Sequence, residues 1–310
     1  MKGNDPALSR RGFLTGVAAG AGLLAGGFPS TGKASPALAK VIPSTGERIP
    51  AMGMGSYLTF SVGRDAKARA QRVRVLQTFI DAGGGLLDSS PMYGASEEVI
   101  GYCLKRVKNP EKVFSATKVW TPFTGRGVKQ IENSGRLWGE DRFDLFQVHN
   151  LLNWEAHLAE LQRRKEQGKI RYVGITTSHG RSHREFERVM RSERLDFVQL
   201  TYNPLDLEVE DRLLPLAADK GIAVIVNRPF RRGGLIDHLN GEPLPGFAAE
   251  LGARTWAQLL LKFVISHPAV TVAIPATRRP DHAAENMDAA TGPMPDANLR
   301  ARIIKAVEAV

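Results

Sequence analysis

The chain of 310 residues has 24% charged and 43% hydrophobic residues, a globular balance that excludes a disordered, collagenous or polytopic membrane protein. Its 42 Lys and Arg against 32 Asp and Glu leave a net charge of +10, which raises nucleic acid as a partner to be tested. The single cysteine, Cys103, cannot form an intramolecular disulfide, and no Cys/His spacing suits a structural zinc.

Residues 9–14 read SRRGFL, a glycine-rich, weakly apolar run follows as far as Phe28, and ASPALAK closes the segment at residue 40. A charged start, an apolar stretch and small residues around a cleavage point make the three-part layout of an export signal. Arg10 and Arg11, with Phe13 and Leu14 after them, resemble the twin-arginine signal. That implies the twin-arginine export machinery as a partner and a periplasmic address. Gly16, Gly20, Gly22, Gly26 and Gly27 make the run too weakly hydrophobic, and too short, for a membrane span. Ala37, Leu38 and Ala39 fit the A-x-A pattern and place cleavage before Lys40, giving a signal peptide over 1–39 and a mature domain over 40–310. Part of the positive excess leaves with the signal. The remaining basic residues form only short clusters without aromatic interleaving, so nucleic acid drops out as a partner.

After Lys40, Ser44-Thr45-Gly46-Glu47 is a turn between two β-prone stretches and predicts a small hairpin. A first strand is expected near residues 52–55. Apolar runs then recur at 85–88, 113–117, 143–148, 170–176, 197–200, 222–226 and 270–274. Between them the spacing becomes helical, as in Val73, Leu76 and Ile80, then Trp154, Leu158 and Leu161, then Trp256, Leu259, Leu260 and Phe263. Gly83 and Gly168 sit where helices should stop. Eight strands alternating with helices, and no linker among them, predict one (β/α)8 TIM barrel with an N-terminal β-hairpin. A doubly wound sheet is the other candidate, but no GxGxxG follows the first strand.

In such a barrel chemistry sits at the C-terminal ends of the strands. The residues there are Asp88, Lys118 and His149, and the loop after Asp88, Ser89-Ser90 and then PMYGASEEVIG, brings in Tyr93. A free tyrosine holds its proton up to about pH 10. A nearby ammonium would ease its release, a carboxylate would hold the ammonium in place, and a histidine could steady the substrate oxygen. That set suits proton transfer to a carbonyl oxygen as hydride reaches its carbon.

From Lys40 to about Ala290 the chain resembles the aldo-keto reductase family. The similarity is carried by IPSTGERIPAMGMGS at 42–56, LLDSS at 86–90 running into PMYGASEEVIG at 91–101, SATKVW at 115–120, DLFQVHN at 144–150, GKIRYVGIT at 168–176, VQLTYNP at 198–204 and IPATRRPDHAAEN at 274–286. The resemblance implies an NAD(P)H-dependent reductase of aldehydes or ketones, with Asp88, Tyr93, Lys118 and His149 as its tetrad and Tyr93 as general acid. It further implies that Tyr202 stacks on the nicotinamide and that Gln199 and Thr176 hold its carboxamide. Asn227, Arg228 and Pro229 would cover the pyrophosphate, while Arg278, Glu285 and Asn286 would meet the adenosine end. The cofactor expected is NADPH, with NADH second. This chain has Thr176-Thr177 where many relatives carry Ser-Asn, and Ala276 and His282 where NADPH-selective relatives carry Lys and Arg. Arg278 and Arg279 would then supply the charge for a phosphate.

Each of these residues has a plainer reading. Asp88 could cap its loop, Lys118 could be a solvated charge, and Tyr93 and His149 could be packing residues; their joint position favours chemistry. Trp120 and Phe123 could line the pocket or pack beneath a loop, and Cys103 is expected to pack. His179, His183 and His282 lack a metal spacing. Two other functions compete with carbonyl reduction: a non-enzymatic cofactor sensor on the same barrel, and Schiff-base chemistry at Lys118, which Asp88 opposes by keeping the lysine protonated.

Overall fold

The structure, a computed structural model, describes residues 37–310; the twin-arginine motif lies outside the described residues. The hairpin forms first, from β1 (Ala39–Val41) and β2 (Arg48–Pro50). Its turn closes through the Ile42 amide on the Glu47 carbonyl at 2.7 Å, and Gly46 takes the positive φ of 78° that a side chain would resist. β1 begins one residue before the expected boundary at Lys40. Leu38 also donates to the Ala290 carbonyl at 2.8 Å and accepts from the Ala51 amide at 2.9 Å.

Eight parallel strands follow: β3 (Met54–Gly55), β4 (Leu86–Asp88), β5 (Phe114–Val119), β6 (Phe143–Val148), β7 (Ile170–Thr176), β8 (Phe197–Thr201), β9 (Ala223–Asn227) and β10 (Val272–Ala273). Each pairs with the next in chain order. The ring closes by bridges from Met52 to Ala273 and from Gly55 to Ala276, supported by the Gly53 amide on the Ala273 carbonyl at 2.8 Å. Closure needs glycine, since a Cβ on Gly55 would lie 2.9 Å from the Ile274 carbonyl oxygen.

The helices are α1 (Ala66–Asp81), α2 (Ser96–Leu104), α3 (Thr124–Trp138), α4 (Trp154–Glu166), α5 (His183–Ser192), α6 (Leu213–Asp219), α7 (Gly234–His238), α8 (Trp256–Ser266), α9 (Pro280–Asp288) and α10 (Ala297–Glu308). Asp65, Thr255 and Asp296 cap α1, α8 and α10 through their side-chain oxygens, each worth about 1 kcal/mol. Gly83 and Gly168 take positive φ past α1 and α4, as the sequence predicts. None of the described helices is long and apolar enough to cross a membrane.

Strand alternation makes two cores. Inward residues such as Leu86, Phe114, Leu145, Tyr172, Phe197 and Ile225 fill the barrel, and the hairpin's Ile42 and Ile49 plug its lower end. Outward residues such as Val173, Val198 and Leu200 meet the helices. The plug leaves the C-terminal end as the open end of the barrel. The α4 and α8 stripes are buried as expected, although Trp154 and Trp256 stay half-buried at the edge.

Candidate active site

Asp88 ends β4, Lys118 is next to last in β5 and His149 opens the turn after β6. Parallel register sets Asp88 beside Ala116 and Lys118 beside Gln147, so all three side chains gather at one end of the barrel. Lys118 is fully buried and donates to Asp88 Oδ2 at 2.6 Å and to the Ser89 carbonyl at 2.7 Å. The other carboxylate oxygen, Oδ1, accepts from Gln199 Nε2 at 2.9 Å and from Gln147 Nε2 at 3.4 Å. Tyr93 comes in on the loop after β4, its ring centroid 5.1 Å from the Lys118 ammonium. The phenol ring meets His149 edge-on at 5.7 Å and Tyr57 at 4.9 Å. Four residues spread over 61 positions of sequence thus share one mouth.

The charges differ from expectation at one point. Burial, then Asp88 and Tyr57, push the Tyr93 hydroxyl well above its usual range, against the opposing charge of Arg228. Asp88, 2.6 Å from the Lys118 ammonium, offsets part of the charge that would ease the proton's release. Tyr93 is therefore a phenol throughout the neutral range. Burial lowers the Lys118 pKa while Asp88 and Glu97 hold it up. Burial and the Lys118 charge push His149 well below the ordinary histidine value, so its ring is neutral.

Of the residues expected to hold cofactor, one faces elsewhere and a second, Asn227, is inward at the mouth with its amide already engaged. Tyr202 is fully buried on the outer side of the barrel wall, stacked against Phe263 at 5.5 Å, with its hydroxyl bonded to Glu210 and Arg300. Gln199 and Tyr202 are three residues apart, an odd step, so a strand that aims the glutamine inward aims the tyrosine outward. Tyr202 cannot stack on a ring bound at the mouth. Asn227 spends its amide on the wall, accepting from Thr201 Oγ1 at 2.6 Å and donating to the Thr177 carbonyl at 2.9 Å.

The others stay near the open end. Thr176 Oγ1 accepts from the Asn150 amide at 2.9 Å, and Gln199 Nε2 is committed to Asp88. Pro229 is buried, and Arg228, half-buried beside it, takes a left-handed φ of 53° in the loop after β9. Arg231, beside them, is bonded to Asp206 at 2.6 Å. After β10, Arg279 is taken by Asp281, whereas neither Arg228 nor Arg278 has a carboxylate partner among the described residues. Glu285 is half-buried and Asn286 buried on α9. Ser56 Oγ, just after β3, and Gln147 Oε1, beside Asp88, are buried polar atoms without a partner. Such orphaned atoms and unpaired guanidiniums fit a polar, anionic dinucleotide.

Sequence reasoning missed three contributors. Tyr57 flanks Tyr93 and is bonded by Arg232 at 3.1 Å. Glu97 on α2 accepts from Thr117 Oγ1 at 2.6 Å, Ser134 Oγ at 3.1 Å and Trp138 Nε1 at 3.2 Å, tying the start of α2 to β5 and α3. Ser90 is bonded to His149 Nδ1 at 2.9 Å. Only Ser90 left a local signal, a hydroxyl two residues before Met92 whose amide it caps. Trp120 and Phe123 are exposed, and Trp120 lies 6.5 Å from His149, which favours the pocket-lining reading. Cys103 packs, fully buried, with its thiol pushed up to about 12.

A closed parallel barrel with a buried ion pair, a phenol and a neutral imidazole at its C-terminal mouth defines a (β/α)8 enzyme. The chain belongs to the Aldo/keto reductase family, whose model matches residues 51–303. It is 30% identical over 246 residues to the methylglyoxal reductase YeaE of Escherichia coli, covering 77% of this chain and 84% of that protein. It is 28% identical over 242 residues to an NADH-specific methylglyoxal reductase of the same organism, covering 67% of this chain and 71% of the relative. Among solved structures, an aldo/keto reductase from Klebsiella pneumoniae in complex with NADP and acetate aligns with a TM-score of 0.72. Its identity is 25%, over 86% of this chain and 94% of that one. Relatives of this chain thus bind NADP in one case and use NADH in another.

Proposed function

We propose that this protein is a carbonyl reductase in which Tyr93 protonates the substrate oxygen. The observation that carries the reading is the convergence of Tyr93 and His149 on the Lys118–Asp88 pair. A neutral His149 can hold the carbonyl oxygen by an N–H hydrogen bond beside the Tyr93 hydroxyl. When bound, the cofactor supplies the hydride for the carbonyl carbon. Tyr93 gives its hydroxyl proton to the oxygen, and the Lys118 charge, 5.1 Å from the ring, steadies the phenolate left behind. Asp88 and the Ser89 carbonyl hold Lys118 protonated for that task. Thus the raised Tyr93 pKa favours reduction at neutral pH, and alcohol oxidation, which needs the phenolate, should rise with pH.

The relatives' names make methylglyoxal, a small dicarbonyl, the first substrate to try, followed by aldehydes, ketones and quinones. Tyr93→Phe should lower turnover by about 10³-fold while cofactor fluorescence titrations stay within about twofold; unchanged turnover would remove Tyr93 from the mechanism. Tight cofactor binding with no turnover of any carbonyl would favour the sensor reading. NADPH is the proposed cofactor, with Arg278 receiving its extra phosphate. Arg278→Ala should raise KM for NADPH about tenfold and leave KM for NADH alone; equal effects on both would sink that role.

Residues 1–39 are proposed as a twin-arginine signal, residues 40–310 as the exported domain and the periplasm as its destination. Export by this route carries proteins already folded, which would let a nicotinamide cofactor be loaded in the cytoplasm. Intact-mass analysis of protein from its native compartment should find a chain starting at Lys40. A cytoplasmic chain starting at Met1 would overturn both signal and address.

A further inference from the structure

We infer that Ser90 is a positioning residue that sets the ring tautomer of His149, so that Nε2 carries the proton offered to the substrate's carbonyl oxygen. The inference rests on the proposed role of His149 at the mouth. Ser90 is fully buried on the loop between Asp88 and Tyr93, and its Oγ lies 2.9 Å from His149 Nδ1. The same oxygen accepts from the Met92 amide at 3.2 Å. A backbone amide can only donate, so this bond uses a lone pair of Ser90 and leaves its hydroxyl proton to be placed. His149 Nδ1 is the one acceptor within hydrogen-bond reach of that hydroxyl among the described residues. If Nδ1 carried the proton instead, the Ser90 oxygen would accept twice and a buried hydroxyl proton would be stranded.

The ring is neutral, so one of its nitrogens is bare. The groups that face it are the Lys118 ammonium from β5, bound to Asp88 of β4, and the Tyr93 phenol from the intervening loop. Burial and the Lys118 cation both disfavour a second proton on the imidazole. Which nitrogen is bare is then decided by the hydrogen bond to the other. With Ser90 donating to Nδ1, Nε2 bears the hydrogen and has no protein partner among the described residues. His149 is thereby a donor, and the task of releasing a proton falls to Tyr93 alone. The opposite tautomer would set a lone pair against the carbonyl oxygen's own and repel the substrate.

Nitrogen-15 NMR of the full chain, labelled in histidine and saturated with NADPH, tests this, with His149→Gln used to assign the signal among the seven histidines. The expected spectrum shows a proton-free, hydrogen-bonded Nδ1 and a protonated Nε2 across neutral pH. Ser90→Ala should move the Nδ1 signal away from its hydrogen-bonded position and lower kcat about tenfold, with KM for NADPH unchanged. Ser90→Cys, a weaker donor, should fall between. A proton on Nδ1 in the wild type, or full turnover in Ser90→Ala, overturns the inference. The wild-type spectrum decides the tautomer even if a variant misfolds. It also separates this inference from the mechanism, since unchanged turnover in Tyr93→Phe would end the catalytic reading without altering the ring's nitrogens.

Discussion

The two ends of the barrel treat charge in opposite ways. At the lower end Arg171 bridges Glu47 of the hairpin turn and Asp144 of β6, and Tyr172 bonds the same Glu47 at 2.5 Å. Lys165 pairs with Asp196 at 2.6 Å nearby. Apart from the buried Asp196 these charged groups are partly solvated, and they neutralise one another. At the upper end one pair, Lys118–Asp88, is wholly buried, while Arg228 and Arg278 have no carboxylate partner among the described residues and Ser56 and Gln147 keep orphaned oxygens. Charge below ties the plug to the barrel; above, Arg231 and Arg279 are paired with Asp206 and Asp281 while Arg228 and Arg278 are not.

That contrast can be broken by substitution. Lys118→Met should be the most damaging to the fold, since it strands the Asp88 carboxylate in the interior at a cost of about 3–5 kcal/mol. Thermal unfolding, alongside turnover, would show both losses together; a stable but inactive variant would mean that the pair serves chemistry only.

Glu140, just after α3 at the lower end, is the exception there. Its Oε2 is buried without a partner, and burial with Asp144 pushes its pKa up to about 7. The folded state therefore binds this proton more tightly than the unfolded chain does. The stabilisation is full below about pH 4.5 and is lost as pH rises towards 7. Glu140→Gln should match the wild type near pH 4.5 and be more stable above pH 7, by up to about 3 kcal/mol. A gap that did not grow with pH would place Glu140 among the solvated charges. Arg171→Ala should have the smallest effect, about 1–2 kcal/mol, with turnover intact. A fall in kcat there would show that the ends are coupled.

Most of the barrel was legible because strand and helix periods are local. β6 and β7 have the bounds that their apolar runs predict, and the other strands shift by a residue or two. The positions of Asp88, Lys118 and His149 were legible for the same reason, since each ends or directly follows an apolar run, and Tyr93 lies five residues further on in the loop after Asp88. Tyr202 was misread although the signal was present: the odd step from Gln199 puts it on the other face of β8.

What the sequence determined by itself was therefore order: eight alternations, a hairpin before them and polar side chains at the strand ends or in the loop after β4. Tertiary structure decided pairing. Ser90 meets His149 across 59 positions, Gln199 reaches Asp88 across 111, and Arg231 is drawn to Asp206 across 25, while Arg228 and Arg278 find no carboxylate among the described residues. Periodicity follows from backbone geometry repeated every few residues. Which proton and which charge remain available depends on neighbours that only closure of the barrel brings within 3 Å.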